Sequence, residues 1–450
     1  MRSWVLTVLS SALLSPLCGQ WSIDEVVRRA GQKYAGVEVS LEQAASAAAA
    51  VQLARTAYLP RGDFYAQVNR ATRNNVFGMT LPNPVIPSIS GPPLAANAGT
   101  NVWGSSTGFL VQWEPFDLGQ RAATVGTADA ARRRAERAFA RTRFEVEAAA
   151  ADAFLTTLAA DETVSAARAS VERAAHLEKL ITAQTEAGLK PGADLARATA
   201  EAAAAEAQLI QAEQAARLAR IAVAQLAGGS WQDVKLAAAF TARPDAPIPT
   251  AAVSHPALSE QQAAAKEAEA RQHEAAIAWR PRFNSQTALY ARGTGANPDG
   301  STGGAAAGLG PNIYNWGIGF SVLFPLLDLP AIRAKQTAAH HQALAESARL
   351  KKLETDLNAS LERANAALDA ALRIARIVPV QLESARAAFD QARARYQAGL
   401  AAISEVTDAQ RLLAQAEADA SIARLNIWRS RLAVAAAAGD LAPFLERAAR

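Results

Sequence analysis

The chain has 450 residues, half of them apolar and one-fifth charged, with a formal net charge of +4 and one cysteine. Alanine supplies much of the apolar half and buries little surface per side chain, which argues against a thick globular core. The charges are well mixed in sign, excluding a nucleic-acid-binding stripe or an acidic tail, and a lone thiol excludes an internal disulfide.

Residues 1–19 have the form of a secretory signal: one basic residue, Arg2, an apolar run from Trp4 to Leu14, then Ser15-Pro16-Leu17-Cys18-Gly19. Cleavage is expected after Gly19, leaving a net charge of +3 (+4 minus Arg2) and no thiol. A lipoprotein signal wants a small residue just before the cysteine and leucine three before it. Leu17 and Ser15 stand there, so Cys18 reads as a spacer rather than a lipidation site. Beyond the signal no apolar run approaches the roughly twenty residues of a membrane-spanning helix. A membrane crossing by this chain would have to use strands.

A helix-forming stretch, Val39 to Ala57, stops before Pro60. From Asp63 to Arg70, Phe64, Ala66 and Val68 alternate with Tyr65, Gln67 and Asn69, the period of a strand. The segment NPVIPSISGPPLAANAG follows and predicts a long surface loop. A second strand then sets Phe109, Val111 and Trp113 against Leu110, Gln112 and Glu114. Gly119 to Ala187 is a 69-residue stretch interrupted only by Gly126, on the order of 100 Å long if helical throughout. Larger apolar residues recur seven apart, as in Phe139 to Val146 and Val164 to Val171, which predicts coiled-coil packing. At Gly188 the helix stops and reverses, glycine supplying a left-handed cap, and Lys190-Pro191-Gly192 makes the turn.

The same order then repeats. Gly399 lies 211 residues after Gly188 (399 minus 188), and Leu327-Asp328-Leu329 matches Phe116-Asp117-Leu118 at that offset. Upstream the offset is 221, where Ala278-Trp279-Arg280-Pro281-Arg282 answers Ala57-Tyr58-Leu59-Pro60-Arg61. The chain is therefore read as an internal duplication, 20–229 and 250–450, joined by the proline-bearing linker 230–249. The strand hairpins fall at 63–116 and 282–325. In the second half a helix over Ser259 to Ala278 precedes a strand where Phe283, Thr287 and Leu289 alternate with Asn284, Gln286 and Tyr290. After the loop GTGANPDGSTGGAAAGLGPN, Trp316, Ile318, Phe320, Val322 and Phe324 alternate with Gly317, Gly319, Ser321 and Leu323. Pro330 to Ala398 is the second long helix, with Pro379 expected to bend it.

Strand pairs with one large apolar face and one small or polar face are the pattern of transmembrane β-hairpins. An amphipathic hairpin on a soluble sheet would alternate in the same way. Asp194, Glu405 and Asp408 fall just past the two reversals, where the helix dipole favours negative charge. Glu405 and Asp408 are three apart and share a face. His176, His255, His273, His340 and His341 make no metal-binding spacing, and there is no phosphate-cradling loop or G-x-S-x-G elbow. No metal, cofactor or enzymatic activity is expected.

Together PFDLGQ at Pro115, PLLDLP at Pro325, AGLKPGADLARATAE at Ala187 and YQAGLAAISEVTDAQRLL at Tyr396 resemble the TolC-like outer-membrane efflux protein family. The resemblance runs from WSIDEVVRRA at Trp21 to about Ala438. It implies a mixed α/β, mostly α fold. Each subunit would give four strands to a twelve-stranded trimeric β-barrel in the outer membrane, and its helices would form a long antiparallel coiled-coil barrel in the periplasm. Oligomerisation is also required physically, because four strands cannot close and their edges would be unsatisfied in lipid. The implied function is the exit duct of a tripartite efflux pump or type I secretion system, working with a periplasmic adaptor and an inner-membrane transporter. By the same resemblance Gly188, Leu189, Lys190, Pro191 and Gly192, with Gly399, Leu400, Ala401, Ala402, Ile403 and Ser404, are tips that meet the adaptor. Glu405 and Asp408 would form acidic rings at the periplasmic gate. Trp113 and Trp316 are expected at the interface with outer-membrane lipid. One departure is Ala35, which stands where the second repeat has Pro256 and leaves the start of that helix open. The alternative is a periplasmic coiled-coil adaptor or scaffold whose four strands form an ordinary sheet.

Overall fold

The computed structural model describes residues 20–72, 99–189, 191–237, 255–297, 299 and 301–448. The signal segment with Cys18, the first loop as far as Ala98, Lys190 and most of the linker lie outside the described residues. In order the elements are α1 (Ile23–Lys33), α2 (Ala35–Thr56), β1 (Arg61–Thr72), β2 (Asn101–Phe116), α3 (Gln120–Glu186) and α4 (Gly192–Ala227). There follow α5 (Pro256–Ala276), β3 (Arg282–Thr294), β4 (Ile313–Leu323), α6 (Leu329–Gln397), α7 (Ile403–Ala438) and α8 (Ala442–Ala448). Both repeats are thus helix, hairpin, long helix, returning helix, and α3 and α6 run 67 and 69 residues without a break. α2 and α5 begin at Ala35 and Pro256, which the 221-residue offset makes equivalent (256 minus 35), so the missing proline does not move the helix start. No described helix is long and apolar enough to cross a membrane.

Two compact units cut across the repeats, each taking matching pieces from both. Unit 1 comprises Met1–Glu42, Arg137–Glu260 and Lys351–Arg450. Its main core joins α1, α3, α4, α7 and α8 through Val26, Phe154, Leu155, Val223, Trp428 and Phe444. α1 is positioned by its sequence: Ser22 Oγ accepts from the Glu25 N–H at 3.3 Å, an N-cap, and Ile23, Val26, Val27 and Ala30 at helical spacing are buried. Phe444 of the short α8 meets Trp428 edge-on, ring centroids 6.2 Å apart. The linker is tied back by Trp21, whose N–H donates to Lys235 O at 2.7 Å and whose O accepts from Ala237 N–H at 3.0 Å.

Unit 2 comprises Gln43–Glu136 and Gln261–Leu350. Its four strands form one antiparallel sheet in the order β1-β2-β3-β4, so the central β2–β3 pairing joins the two repeats. The helices here are alanine-rich, favourable for helix formation but poor in packing surface, and polar stitches fix them. Thr124 and Thr127 of α3 donate to Glu274 of α5 at 2.7 and 2.8 Å, and Gln261 of α5 donates to Glu346 of α6 at 2.8 Å. Buried Glu267 accepts from Arg134 at 3.2 Å. At the strand-to-helix corner Leu118 takes φ +51° and Gly119 φ +94°. Asp117 accepts from the Gly119 N–H at 3.2 Å, and the Leu118 carbonyl accepts from Arg280 at 2.5 Å. The Phe-Asp-Leu-Gly signature is therefore a corner that needs a left-handed residue.

Candidate functional site

Each long helix ends in the same way. Gly188 and Gly399 take φ +72° and +73°. At the first turn Leu189 N–H donates to Gln184 O at 2.8 Å and Gly188 N–H to Thr185 O at 2.9 Å. At the second, Leu400 N–H donates to Arg395 O at 2.8 Å and Gly399 N–H to Tyr396 O at 3.0 Å. These paired bonds satisfy carbonyls that a helix end leaves open, and the left-handed glycine makes them possible. The residue after each glycine is a leucine turned to solvent, Leu189 at 73% and Leu400 at 72% exposure. A Schellman turn ordinarily tucks that residue against its helix; here both are presented outward. The turns between the helices are short. Gly192 is the first residue of α4, while Ile403 and Ser404 already belong to α7, and Ile403 is only 5% exposed because it packs in the core beneath the turn.

That core draws on all four long helices: Ile181 of α3, Ala198 of α4, Phe389 and Tyr396 of α6, and Val406 and Leu413 of α7. Burial, with the nearby Asp194 carboxylate, raises the Tyr396 phenol above its ordinary range. A further brace between α3 and α7 is the pair Arg173 to Glu417 at 2.6 Å.

Glu405 and Asp408 sit on the exposed side of this core, and each faces arginine. Glu405, in the first turn of α7, pairs with Arg395 of α6 at 3.0 Å; Arg395 also donates to the Leu400 carbonyl at 3.4 Å, clamping the turn. Asp408, one turn further in, lies 3.9 Å from both Arg197 of α4 and Arg411 of α7. Arg411 forks onto Glu201 of α4, with Nε to Oε2 at 3.1 Å and Nη2 to Oε1. Glu201, and more weakly Asp408, hold the Arg411 guanidinium above its ordinary range. The sequence reading identified the two acids and missed Arg197, Glu201, Arg395 and Arg411. One signal was available: Arg197 and Asp408 are repeat equivalents (408 minus 197 is 211) of opposite charge, and the fold brings them together. Asp194 begins α4 in the same way and serves as first-turn charge.

In unit 2 the sheet is sorted by face. One cross-strand row reads Phe64, Phe109, Leu289 and Trp316, and all four are exposed. The Phe64 and Phe109 rings stand 5.1 Å apart. Val111, Trp113, Ile318, Phe320 and Val322 continue the exposed apolar band. The opposite face carries rows such as Arg61, Gln112, Gln286 and Gly319, or Asp63, Leu110, Ala288 and Gly317. Trp113 is opposite Ser285 and Trp316 opposite Leu289, four residues further along β3 (289 minus 285), so the two indoles stand at different heights. Trp113 Nε1 donates to Tyr58 O at 3.1 Å, fixing it beside the helix end. Among the described residues no group of three or more His, Cys, Asp or Glu side chains could hold a metal ion.

Comparison with known proteins agrees with this fold. A family model described as outer membrane efflux protein matches residues 38–229 and 248–440, one segment in each repeat. The chain is 28% identical over 298 residues to the pyoverdine export outer membrane protein OpmQ of Pseudomonas aeruginosa. That match covers 63% of this chain and 58% of the relative, less than two thirds of its length. In fold the chain is similar to the CmeC outer membrane channel of Campylobacter jejuni, with a TM-score of 0.77 and 15% identity, covering 98% of this chain and 94% of that one. It is also similar to the outer membrane protein VceC of Vibrio cholerae, with a TM-score of 0.73 and 15% identity, covering 93% and 96% respectively.

Proposed function

The chain belongs to the outer membrane efflux protein family, and we propose that it is the outer-membrane exit duct of a tripartite efflux pump or type I secretion system. One observation carries this reading: the sheet exposes an aromatic, apolar band on one face and ends in two unpaired edge strands, β1 and β4. In lipid those edges would leave backbone donors and acceptors unsatisfied, so the sheet must pair with others. Three copies joined β4 to β1 give twelve strands (three times four) and remove both edges. The apolar band then faces outer-membrane lipid and the polar face lines the lumen. Trp113, beside the helix end, suits the near interface. A periplasmic scaffold has no use for such a band, and the comparisons lend the scaffold alternative no support.

In this reading the long helices line the periplasmic part of the duct and Leu189 and Leu400 are the apolar contacts offered to a periplasmic adaptor. Pro191 at the first turn, and Ala401 and Ala402 at the second, complete the tips; Lys190, expected there from the sequence, lies outside the described residues. An inner-membrane transporter supplies the energy. Glu405 and Asp408, held by Arg395, Arg197 and Arg411, keep the entrance narrow, and their release exposes acidic rings that favour cations. The test is ion conductance of the purified protein in a planar bilayer at low and high divalent concentration. Discrete cation-selective steps are expected. Extraction from membranes by salt alone, with no insertion into the bilayer, would sink the duct.

A further inference from the structure

The polar face of the sheet carries groups that the duct has not used. In unit 2 a cavity of about 550 Å³ lies between the end of α2 and the helix-side ends of the strands. Arg61, Gln112, Glu114, Asn284 and Gln286 line it from the polar face, and Arg121 of α3 lines it from the side. Arg61, Gln112 and Gln286 stand in one row across three strands.

Gln286 is 1% exposed, yet neither its Nε2 nor its Oε1 has a hydrogen-bond partner. A carboxamide buried without partners is costly, and an apolar residue would serve packing better. Its neighbours Leu110 and Ala288 show that the face admits apolar side chains. Gln286 lines the cavity, so a solute that displaces the packing over its carboxamide meets a donor and an acceptor side by side.

Two of the three charges around it are uncommitted. Arg121 is engaged, pairing with Asp117 at 3.0 Å, donating to Ala57 O at 3.3 Å and lying 4.8 Å over the Tyr58 ring. Arg61 and Glu114, by contrast, form no ion pair among the described residues. Among the described residues the cavity therefore presents one cation and one carboxylate without an ion-pair partner and a row of carboxamides, beside the apolar Leu53, Leu59 and Trp113. A solute complementary to that set has a carboxylate, an ammonium and an amide between them.

We propose that this cavity binds short zwitterionic peptides, the carboxylate on Arg61, the ammonium on Glu114 and the peptide amide on Gln286 with Gln112. Arg61 recognises the carboxylate as a planar fork, and the Gln286 carboxamide can give and take one bond each with a peptide group. The site is a station in the wall for a solute class and does not depend on conduction.

The experiment is equilibrium binding of dialanine to the purified full-length protein in detergent, followed by ligand-observed NMR, with N-acetyl-dialanine methylamide as the uncharged control. Saturable dialanine binding is expected, with the control at least tenfold weaker. Arg61→Gln, at an exposed position, and Gln286→Leu are each expected to weaken binding by roughly tenfold, with the assembled state of each variant checked before binding is measured. Absence of saturable binding, or equal binding by Arg61→Gln, would overturn the proposal. So would a Gln286→Leu protein that melts higher and binds as well, since the amide would then be no more than a tolerated buried group. Binding in a protein that conducts no ions would leave this inference standing and the duct in question, and the reverse result would do the opposite.

Discussion

The Glu405 and Asp408 side chains are 46% and 66% exposed, and each faces a guanidinium across a helix boundary. Exposed pairs of this kind are worth about 0–1 kcal/mol each, too little to decide folding and enough to bias a local opening. Replacing both, Glu405→Ala with Asp408→Ala, is expected to leave assembly intact and to free Arg197 and Arg395. The local field then turns positive, so reversal potentials in a salt gradient should move from cation preference toward anions, and divalent block should weaken. Unchanged selectivity in the assembled double variant would return the acids to helix-end charge alone. His255 is a second titrating residue with a defined setting. Its Nδ1 accepts from the Ala257 N–H at 3.1 Å at the start of α5, its ring meets Phe144 edge-on at 5.5 Å, and it is bonded to the Ala436 backbone of α7. Burial lowers its pKa below the ordinary value, outweighing the Ala436 bond and the Glu145 charge that raise it; Arg141 lowers it further. A depressed imidazole pKa means that the unfolded chain binds a proton which the fold refuses. The contribution is complete above the unfolded value of about 6.5 and is lost as pH falls below it. Melting at pH 7.5 and 5.5 should therefore differ more in the native protein than in His255→Gln.

At the scale of elements, the two reversals are the most legible feature of the chain. Ala-Gly-Leu after a long helix-forming stretch predicted a left-handed cap, and the two caps take φ +72° and +73°. Nothing lies within 4 Å of a Cβ added at Gly188 or Gly399, so a substitution there meets backbone strain alone, about 1–2 kcal/mol. Gly188→Ala is thus expected to speed hydrogen exchange of the Leu189 amide by roughly fivefold or more while global melting barely moves. The arginines opposite Glu405 and Asp408 were not legible as partners, because two come from other helices and their approach depends on how α4 and α6 pack against α7. α1 and α8 are also absent from the sequence-based expectations. α1 is 11 residues and α8 is 7, and both owe their stability to the core they cover rather than to length. The Ser-Ile-Asp-Glu start of α1 was a visible capping signal. Strand existence and facing were readable from alternation. The extents were not: β2 begins at Asn101, eight residues before Phe109, where glycine, serine and threonine break the alternation while cross-strand pairing continues.

For the molecule as a whole, the same alternation sets what the chain can be. A sheet with polar groups on one face and phenylalanine, tryptophan and isoleucine on the other has to cover the apolar face, and within the chain that face stays exposed. Its two edges remain open as well. In the proposed duct a closed barrel of several copies with lipid outside answers both demands at once, so assembly and membrane insertion should fail together. Phe320 and Ser321 are adjacent on β4 and point to opposite faces. Phe320→Lys places a charge on the apolar band, expected to cost about 2–4 kcal/mol if that band lies near the bilayer midplane, whereas Ser321→Lys adds a charge to a polar lumen. A heat-sensitive oligomer is expected on gels for the native protein; it should be lost or sharply reduced for Phe320→Lys and retained for Ser321→Lys, with a shift of conductance toward anions confined to the latter. Equal loss in both variants would mean that the faces are not sorted between lipid and water, and equal retention would mean that the band lies outside the membrane.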